Sequence, residues 1–246
     1  MKLRVGASVP VTAIYSGDTT FATSTGTLTG GQTVTAKALT AQGTLAGGGK
    51  VYDGLATATP AGSAALQTPE TYATGATSDG KPYTGDTVNL TGTAGYAFAD
   101  RHVGTGKTVT ESGLSLTGAD LGNYTLTAPT LTANITAKAL TVTATGPGKT
   151  YGTALSAGTS STDFTHSGEI SGEAVTSVTL TPNAAGLSAT TAASGAYVVT
   201  PTLATGTGGF LAANYNITYA PYNGPVAVTA NAFWATVPLY GAYVML

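Results

Sequence analysis

The sequence predicts an all-β protein made of tandem Ig-like antiparallel β-sandwiches, and three observations carry this prediction. Short runs that alternate apolar and polar residues recur along the chain, and none shows the i, i+3, i+4 apolar spacing of a helix. The 34 glycines supply turns between these runs. A set of motifs recurs after about 100 residues, which is the usual size of an Ig-like sandwich.

The alternation is clearest in three segments, residues 87–91, 124–127 and 175–180. A strand that alternates in this way has one face on a core and the other in water, as in antiparallel sheets. The polar positions are mostly threonine, whose branched Cβ fits a pleated surface. These segments are therefore predicted to be half-buried strands.

Composition excludes several classes of protein. Charged residues make up 8% of the chain and hydrophobic residues 42%, with a net charge of -2, which is not the pattern of a disordered chain. Nine Lys and Arg against eleven Asp and Glu give no basic field, so no nucleic-acid partner is expected. No apolar run is long enough to span a membrane as a helix. Because cysteine is absent, sheet packing or another crosslink must stabilise the fold.

Three motifs recur in the same order in the two repeats. They are Thr-Ala-Lys-Ala-Leu-Thr at 35–40 and 136–141, Gly-Lys-x-Tyr at 49–52 and 148–151, and Asn-Tyr at 123–124 and 214–215.

The motifs predict four parts of the chain. Residues 1–36 are expected to hold the last strands of a preceding repeat. Residues 37–137 form the first complete sandwich and residues 138–230 the second. Residues 231–246 form an apolar C-terminal tail that belongs to neither pattern.

Four motifs follow one another in the first repeat: Lys50-Val51-Tyr52-Asp53-Gly54, then residues 85–90, 103–109 and 116–124. With these motifs the repeat resembles the YDG domain. The second repeat, through residues 149–152 and 213–217, is similar to the related MBG (mostly bacterial Ig-like) domain. The resemblance implies a building block of long filamentous-haemagglutinin-like adhesins, located at the bacterial surface or outside the cell. It implies no catalytic residues.

Motifs for catalysis or metal binding are incomplete. Gly104-Thr105-Gly106-Lys107-Thr108 ends like a phosphate-binding loop, but Arg101 occupies the position that requires glycine. His102 and His166 lie in different repeats without ligand spacing, and no acidic run matches a calcium loop. We therefore expect no enzyme activity, no cofactor and no metal.

A covalent crosslink is one candidate feature. Lys50 precedes the tyrosine early in the first repeat, and Asn123 precedes the tyrosine late in it. If the first and last strands lie side by side, these side chains are candidates for a self-formed isopeptide bond, with Asp53 or Asp86 as the acid that promotes it. The alternative is that Asn123 makes a turn and Lys50 is solvated.

The C-terminal tail supplies a candidate binding surface. Trp234, Tyr240 and Tyr243 crowd this segment, and exposed aromatic side chains stack on sugars or proteins. The alternative is core packing, or an interface with a further domain.

Two functions remain open from the sequence. The first is a structural spacer or stalk segment of a large surface or secreted adhesin, with the neighbouring repeats of the same polypeptide as its partners. The second is an adhesive module that recognises a host or matrix glycan or protein.

Overall fold

The computed structural model describes residues 4–42, 49–59, 62–73, 76–150, 152–184, 196–225 and 228–229. Over these ranges the chain forms twenty β-strands and two single-turn 3-10 helices. The prediction of an all-β protein is therefore confirmed. Within the same ranges, no helix has the length and apolar character needed to cross a membrane.

The described residues divide into two compact units. The first contains the residues up to Lys50 together with Ala56–Asn134. The second contains Val51–Leu55 together with the residues from Ile135 onward. A short segment from early in the chain thus belongs to the second unit. The predicted boundaries after residues 36, 137 and 230 stay predictions.

Strands β1 to β11 account for the first unit, with β6 and β11 ending in the second. In chain order they are β1 Gly6–Val9, β2 Thr12–Tyr15, β3 Ser24–Thr27, β4 Gln32–Val34, β5 Lys37–Gln42, β6 Lys50–Val51, β7 Ala65–Leu66, β8 Asn89–Phe98, β9 Gly104–Thr117, β10 Tyr124–Thr127 and β11 Leu131–Thr136. A 3-10 helix, Leu121–Asn123, precedes β10. The two main sheets have the orders β10-β5-β7 and β6-β11-β9-β8, and β1-β4 and β2-β3 form two-stranded ladders.

Strands β12 to β20 account for the rest of the second unit. They are β12 Lys138–Ala144, β13 Lys149–Thr150, β14 Gly158–Ser160, β15 Phe164–Ser167, β16 Ala174–Pro182, β17 Ala196–Thr207, β18 Tyr215–Ala220, β19 Tyr222–Pro225 and β20 Val228–Thr229. A second 3-10 helix, Ala212–Asn214, precedes β18. The sheets have the orders β15-β12-β18 and β14-β16-β17-β19, and β13 pairs with β20.

An equivalent pairing of parallel strands occurs within each unit. In the first unit β5 and β10 are parallel, with Lys37 opposite Tyr124. In the second unit β12 and β18 are parallel, with Lys138 opposite Tyr215. The lysine of the Ala-Lys-Ala-Leu motif and the tyrosine of the Asn-Tyr motif are therefore register partners in both repeats. The repeated motifs mark a repeated pairing of strands.

The alternation of β5 builds the core of the first unit. Its residues Lys37, Leu39 and Ala41 are buried, while the residues between them are half-buried. Leu39 packs with Val88 and Tyr124, and half-buried apolar side chains pack around this cluster. The period of two thus places a lysine on the same buried face as the core leucine.

The long β8-β9 hairpin contains a bulge that depends on glycine. The register of the pair shifts between Gly92 and Gly95. Gly92 has φ +99 and Gly113, on the facing strand, has φ +81, and a Cβ on Gly92 would collide with the Gly113 carbonyl oxygen. Only residues without a Cβ allow the two backbones to approach this closely.

We predict that Leu39→Ala lowers the free energy of unfolding of the first unit by about 2–5 kcal/mol, because the change removes a fully buried side chain and leaves a cavity. The matched control is Leu121→Ala in the same unit, where the side chain is 46% exposed and the expected change is below about 0.5 kcal/mol. Urea denaturation measures both. Equal effects of the two substitutions would contradict the core assignment.

Candidate functional site

A cavity of about 920 Å³ in the first unit is lined by aromatic and polar side chains. We call it the tyrosine pocket; the lining residues that shape it are Lys37, Tyr72, Tyr83, Asp86, Asn123 and Tyr124. Its volume lies in the range of cavities that bind small molecules.

Asp86 organises the tyrosine pocket. The Tyr124 hydroxyl donates to Asp86 Oδ2 at 2.6 Å, and the Tyr72 hydroxyl donates to Oδ1 of the same carboxylate. The Tyr83 N–H donates to the Tyr124 hydroxyl oxygen at 3.0 Å. The Tyr72 and Tyr83 rings lie 4.8 Å apart between centroids. The pocket therefore presents fixed aromatic faces beside a carboxylate, an arrangement suited to stacking and hydrogen bonding.

Local structure fixes these side chains. Tyr124 begins β10 directly after the 3-10 helix, and Asp86 closes a turn in which its N–H donates to the Tyr83 carbonyl at 3.2 Å. Gly85 inside this turn has φ +88, a conformation that favours glycine. The chemistry of the pocket thus depends on one turn and on the start of one strand.

An ionic cluster adjoins the pocket and consists of the buried Lys37 and the half-buried Glu70 and Asp79. The Lys37 side chain is only 7% exposed, and its Nζ contacts Glu70 Oε1 and lies 3.0 Å from Asp79 Oδ1. The Nζ also lies 4.2 Å from the centroid of the Tyr83 ring. Burial alone would lower the pKa of Lys37, but its hydrogen bonds to the two carboxylates raise that pKa above its usual value.

Backbone contacts hold Asp79 in this cluster. The Lys81 N–H donates to Asp79 Oδ1 at 3.0 Å, and the Gln67 side-chain amide donates to the Asp79 carbonyl at 3.0 Å. The Lys81 N–H and the Lys37 ammonium lower the pKa of Asp79 to about 2. Asp79 is therefore a carboxylate in the folded protein at neutral pH.

Sequence reasoning missed this cluster, although one signal was present. Lys37 lies two residues before Leu39 in an alternating run, so it shares the buried face. A buried lysine needs compensating carboxylates. The sequence did not predict which carboxylates pair with Lys37, because Glu70 and Asp79 lie in irregular segments.

A buried carboxylate lies in the second unit. Glu173 is 7% exposed; the Tyr52 hydroxyl donates to its Oε1 at 2.6 Å and the Tyr215 hydroxyl to its Oε2 at 2.7 Å. The two rings meet edge to face at 5.5 Å, and Phe210 stacks on Tyr215. Burial, with a further contribution from Glu173, raises the pKa of Tyr215 above its usual value.

A carboxylate that accepts from two tyrosine hydroxyls therefore occurs in both units. In each, the tyrosine of the Asn-Tyr motif donates to one oxygen of a carboxylate, and a second tyrosine donates to the other. Tyr124 and Tyr72 do this for Asp86, and Tyr215 and Tyr52 for Glu173. Both oxygens of the half-buried Asp86 and both oxygens of the buried Glu173 therefore gain a donor.

The residues predicted to form a crosslink make other contacts. Lys50 Nζ donates to the Thr57 carbonyl at 2.9 Å, and Asn123 Oδ1 accepts from the Val5 N–H at 3.2 Å. Asp53 Oδ1 accepts from the Leu55 N–H at 2.9 Å, within the segment that belongs to the second unit. An isopeptide bond between Lys50 and Asn123 stays a prediction.

The remaining candidate residues divide into two groups. Trp234, Tyr240 and Tyr243 lie outside the described residues, so the binding surface in the C-terminal tail stays a prediction. The segment 104–108, which ends like a phosphate-binding loop, lies inside strand β9. Within the described ranges, no group of three or more His, Asp or Glu is placed to hold a metal ion.

Comparison with known proteins agrees with part of this picture. The all-β fold defines the class of protein. Residues 35–133 match the model of the YDG domain, so a YDG domain is present in this part of the chain. The match includes Tyr52-Asp53-Gly54, although these three residues belong to the second compact unit. No curated protein and no solved structure matches the chain.

We predict that Tyr52→Phe lowers the free energy of unfolding of the second unit by about 1–3 kcal/mol, because Glu173 Oε1 loses a buried donor. Tyr222→Phe is the control: its hydroxyl donates to the Pro225 carbonyl at the surface, and its expected effect is below about 0.5 kcal/mol. Denaturant titrations measure the difference. A change confined to the first unit would count against this assignment.

The raised pKa of Tyr215 predicts a loss of stability in alkaline solution. In the unfolded chain the hydroxyl ionises near pH 10, whereas in the folded unit it stays protonated to higher pH. The stability that this proton provides is complete below about pH 10 and is lost as the pH rises beyond it.

The measurement is the free energy of unfolding of the second unit between about pH 8 and about pH 11. Tyr215→Phe should flatten its decline over this interval. Val178→Ala, which shortens a buried side chain of the same unit without touching an ionisable group, should keep the wild-type slope. If Tyr215→Phe declines as steeply as Val178→Ala, the explanation fails.

Proposed function

We propose that this chain is a structural segment of a large bacterial adhesin, with Ig-like sandwiches that act as a spacer or stalk. The YDG domain at residues 35–133 supports this proposal. Under this proposal, residues 138–230 form a related MBG-type domain. The partners of the segment are neighbouring repeats of the same polypeptide, and its location is extracellular or at the cell surface. The segment has no catalytic role.

The observation that carries the proposal is the parallel pairing repeated in both units. The chain reaches each pair through its first strand, β5 or β12, and leaves it through its second, β10 or β18. Once the strands that follow each pair, β11 in the first unit and β19 and β20 in the second, have detached from their own partners, tension on the chain pulls the two parallel strands along their axes in opposite directions. All hydrogen bonds of the ladder then resist together, whereas a pair opened from one end loses them one at a time. This suits a segment that transmits force.

Single-molecule pulling tests the proposal, and the absence of cysteine makes engineered cysteines unique attachment points. Handles at Ala139→Cys and Ala220→Cys lie at opposite ends of the β12–β18 pair and load it in shear. Handles at Ala139→Cys and Asn216→Cys sit on register partners and open the pair from one end. We expect a clearly higher unfolding force in the shear geometry. Equal, low forces in the two geometries would refute a force-resisting role.

The tyrosine pocket favours a second candidate function, an adhesive module for a host or matrix glycan or protein. Its aromatic faces and the Asp86 carboxylate supply stacking and hydrogen-bonding groups in one cavity. The two functions are compatible, because stalk repeats can also carry binding sites.

A glycan and matrix-protein array with the labelled chain separates the two functions. Tyr72→Ala removes one aromatic wall of the pocket, and Tyr15→Ala is the matched control, since both tyrosines are 43% exposed. Saturable binding that only Tyr72→Ala abolishes would assign the site to the pocket. Binding lost on truncation after Ala230 would assign it to the aromatic tail. No binding by the wild-type chain would contradict the adhesive module.

A further inference from the structure

The Lys37–Glu70–Asp79 cluster has the geometry of a reaction site. One amine and two carboxyl groups lie together away from solvent, with side-chain exposures of 7%, 11% and 21%. The Lys37 Nζ contacts a carboxyl oxygen of Glu70 and a carboxyl oxygen of Asp79. Reacting groups held in contact in this way lose the entropic cost of encounter.

We propose that Lys37 and Asp79 join in a self-formed isopeptide bond, with Glu70 carrying the protons. The Lys37 ammonium first gives one proton to Glu70, which leaves a neutral amine. Its Nζ then attacks Asp79 Cγ, a C–N bond forms, and the bond from Cγ to Oδ2 breaks. Glu70 delivers this proton and the second proton that the nitrogen loses to the departing oxygen, so that one water leaves. Glu70 ends as it began, and the products are an amide and water. No oxidant or cofactor is needed.

The surroundings of Asp79 favour this attack. The Lys81 N–H, 3.0 Å from Oδ1, polarises the carbonyl and faces the oxygen on which negative charge develops as the nitrogen adds. Nζ already lies 3.0 Å from the same oxygen. Glu70 Oε1 and Asp79 Oδ1 both contact the same Lys37 Nζ, so Glu70 can take a proton from the amine directly beside the carboxyl group that loses an oxygen.

The fold holds Asp79 against β5. The Thr40 N–H of β5 donates to the Gly80 carbonyl at 3.1 Å, next to Asp79 in the chain. Gly80 has φ +77, and a Cβ there would meet the side chains of Gln67 and Thr40. This close approach places the carboxyl group of Asp79 over the amine of Lys37.

Burial also supplies a driving force. An ammonium and a carboxylate removed from water carry a desolvation cost that their attraction does not always recover. Converting the pair into a neutral amide removes the charges of Lys37 and Asp79, leaves the Glu70 carboxylate, and releases a water molecule. The crosslink would close the loop from residue 37 to residue 79 in a chain that has no disulfide.

Asp79, and not Glu70, is the acyl partner because its carboxyl group is fixed by the backbone that carries it. Two hydrogen bonds tie this residue, one to its side chain from Lys81 and one to its carbonyl from Gln67. Glu70 Oε1 contacts the Lys37 Nζ that also lies against Asp79, which is the position a proton carrier needs.

Mass spectrometry of the intact, denatured full-length chain tests the proposal. The wild-type mass should be lower than the sequence mass by one water, and tryptic digestion should fail at Lys37 and yield a branched peptide joining it to Asp79. Lys37→Arg and Glu70→Gln should both restore the full sequence mass, with circular dichroism to establish that each variant is folded. Lys107→Arg is the control, because Lys107 contacts Asp100, whose side chain is 53% exposed; this variant should keep the loss of one water.

Two results would overturn the proposal. A wild-type chain at its full sequence mass would leave Lys37, Glu70 and Asp79 as an ionic cluster. A branched peptide joining other residues, such as Lys37 to Glu70 or Lys50 to Asn123, would show that the assignment to Asp79 is wrong.

Discussion

The parallel pairing of β5 with β10, and of β12 with β18, is the constraint on which the other features depend. Each pair opposes the lysine of one repeated motif to the tyrosine of another. In the first unit this register sets Lys37 and Tyr124 on the wall of one pocket, where the core, the carboxylate and the amine meet. A slip of one residue would turn Leu39 out of the core and Lys37 into water. The packing and the chemistry therefore have the same origin.

Carboxylates that are partly or fully buried have two kinds of partner in this chain. Asp86 and Glu173 each accept from a pair of tyrosine hydroxyls, which satisfy both oxygens without adding a charge. The cluster around Lys37 uses an ammonium instead. A tyrosine pair is chemically inert toward its carboxylate, whereas an amine is a latent nucleophile. The choice of partner thus separates a structural contact from a reactive one.

The all-β fold and the repeat were predictable because both rest on local patterns: alternation within strands, glycines between them, and motifs that recur in order. The partners of the buried groups were not. Tyr52 meets Glu173 after 121 residues and Lys37 meets Glu70 after 33, and no motif marks either carboxylate. Long-range contacts of this kind are set by which loops the sheets bring together. The position of Lys37 two residues before Leu39 was a signal that could have indicated its burial, but it identifies no partner.

The segment Val51–Leu55 lies within the YDG match and yet belongs to the second unit. Its tyrosine is fully buried there. Successive domains of one chain are commonly regarded as units that recombination can duplicate, delete or exchange freely. Here a genetic exchange of residues 35–133 would also replace part of the core of the domain that follows. Selection would then favour the inheritance of the two adjacent repeats together. A library of gene fragments cut between these repeats would contain few proteins that fold.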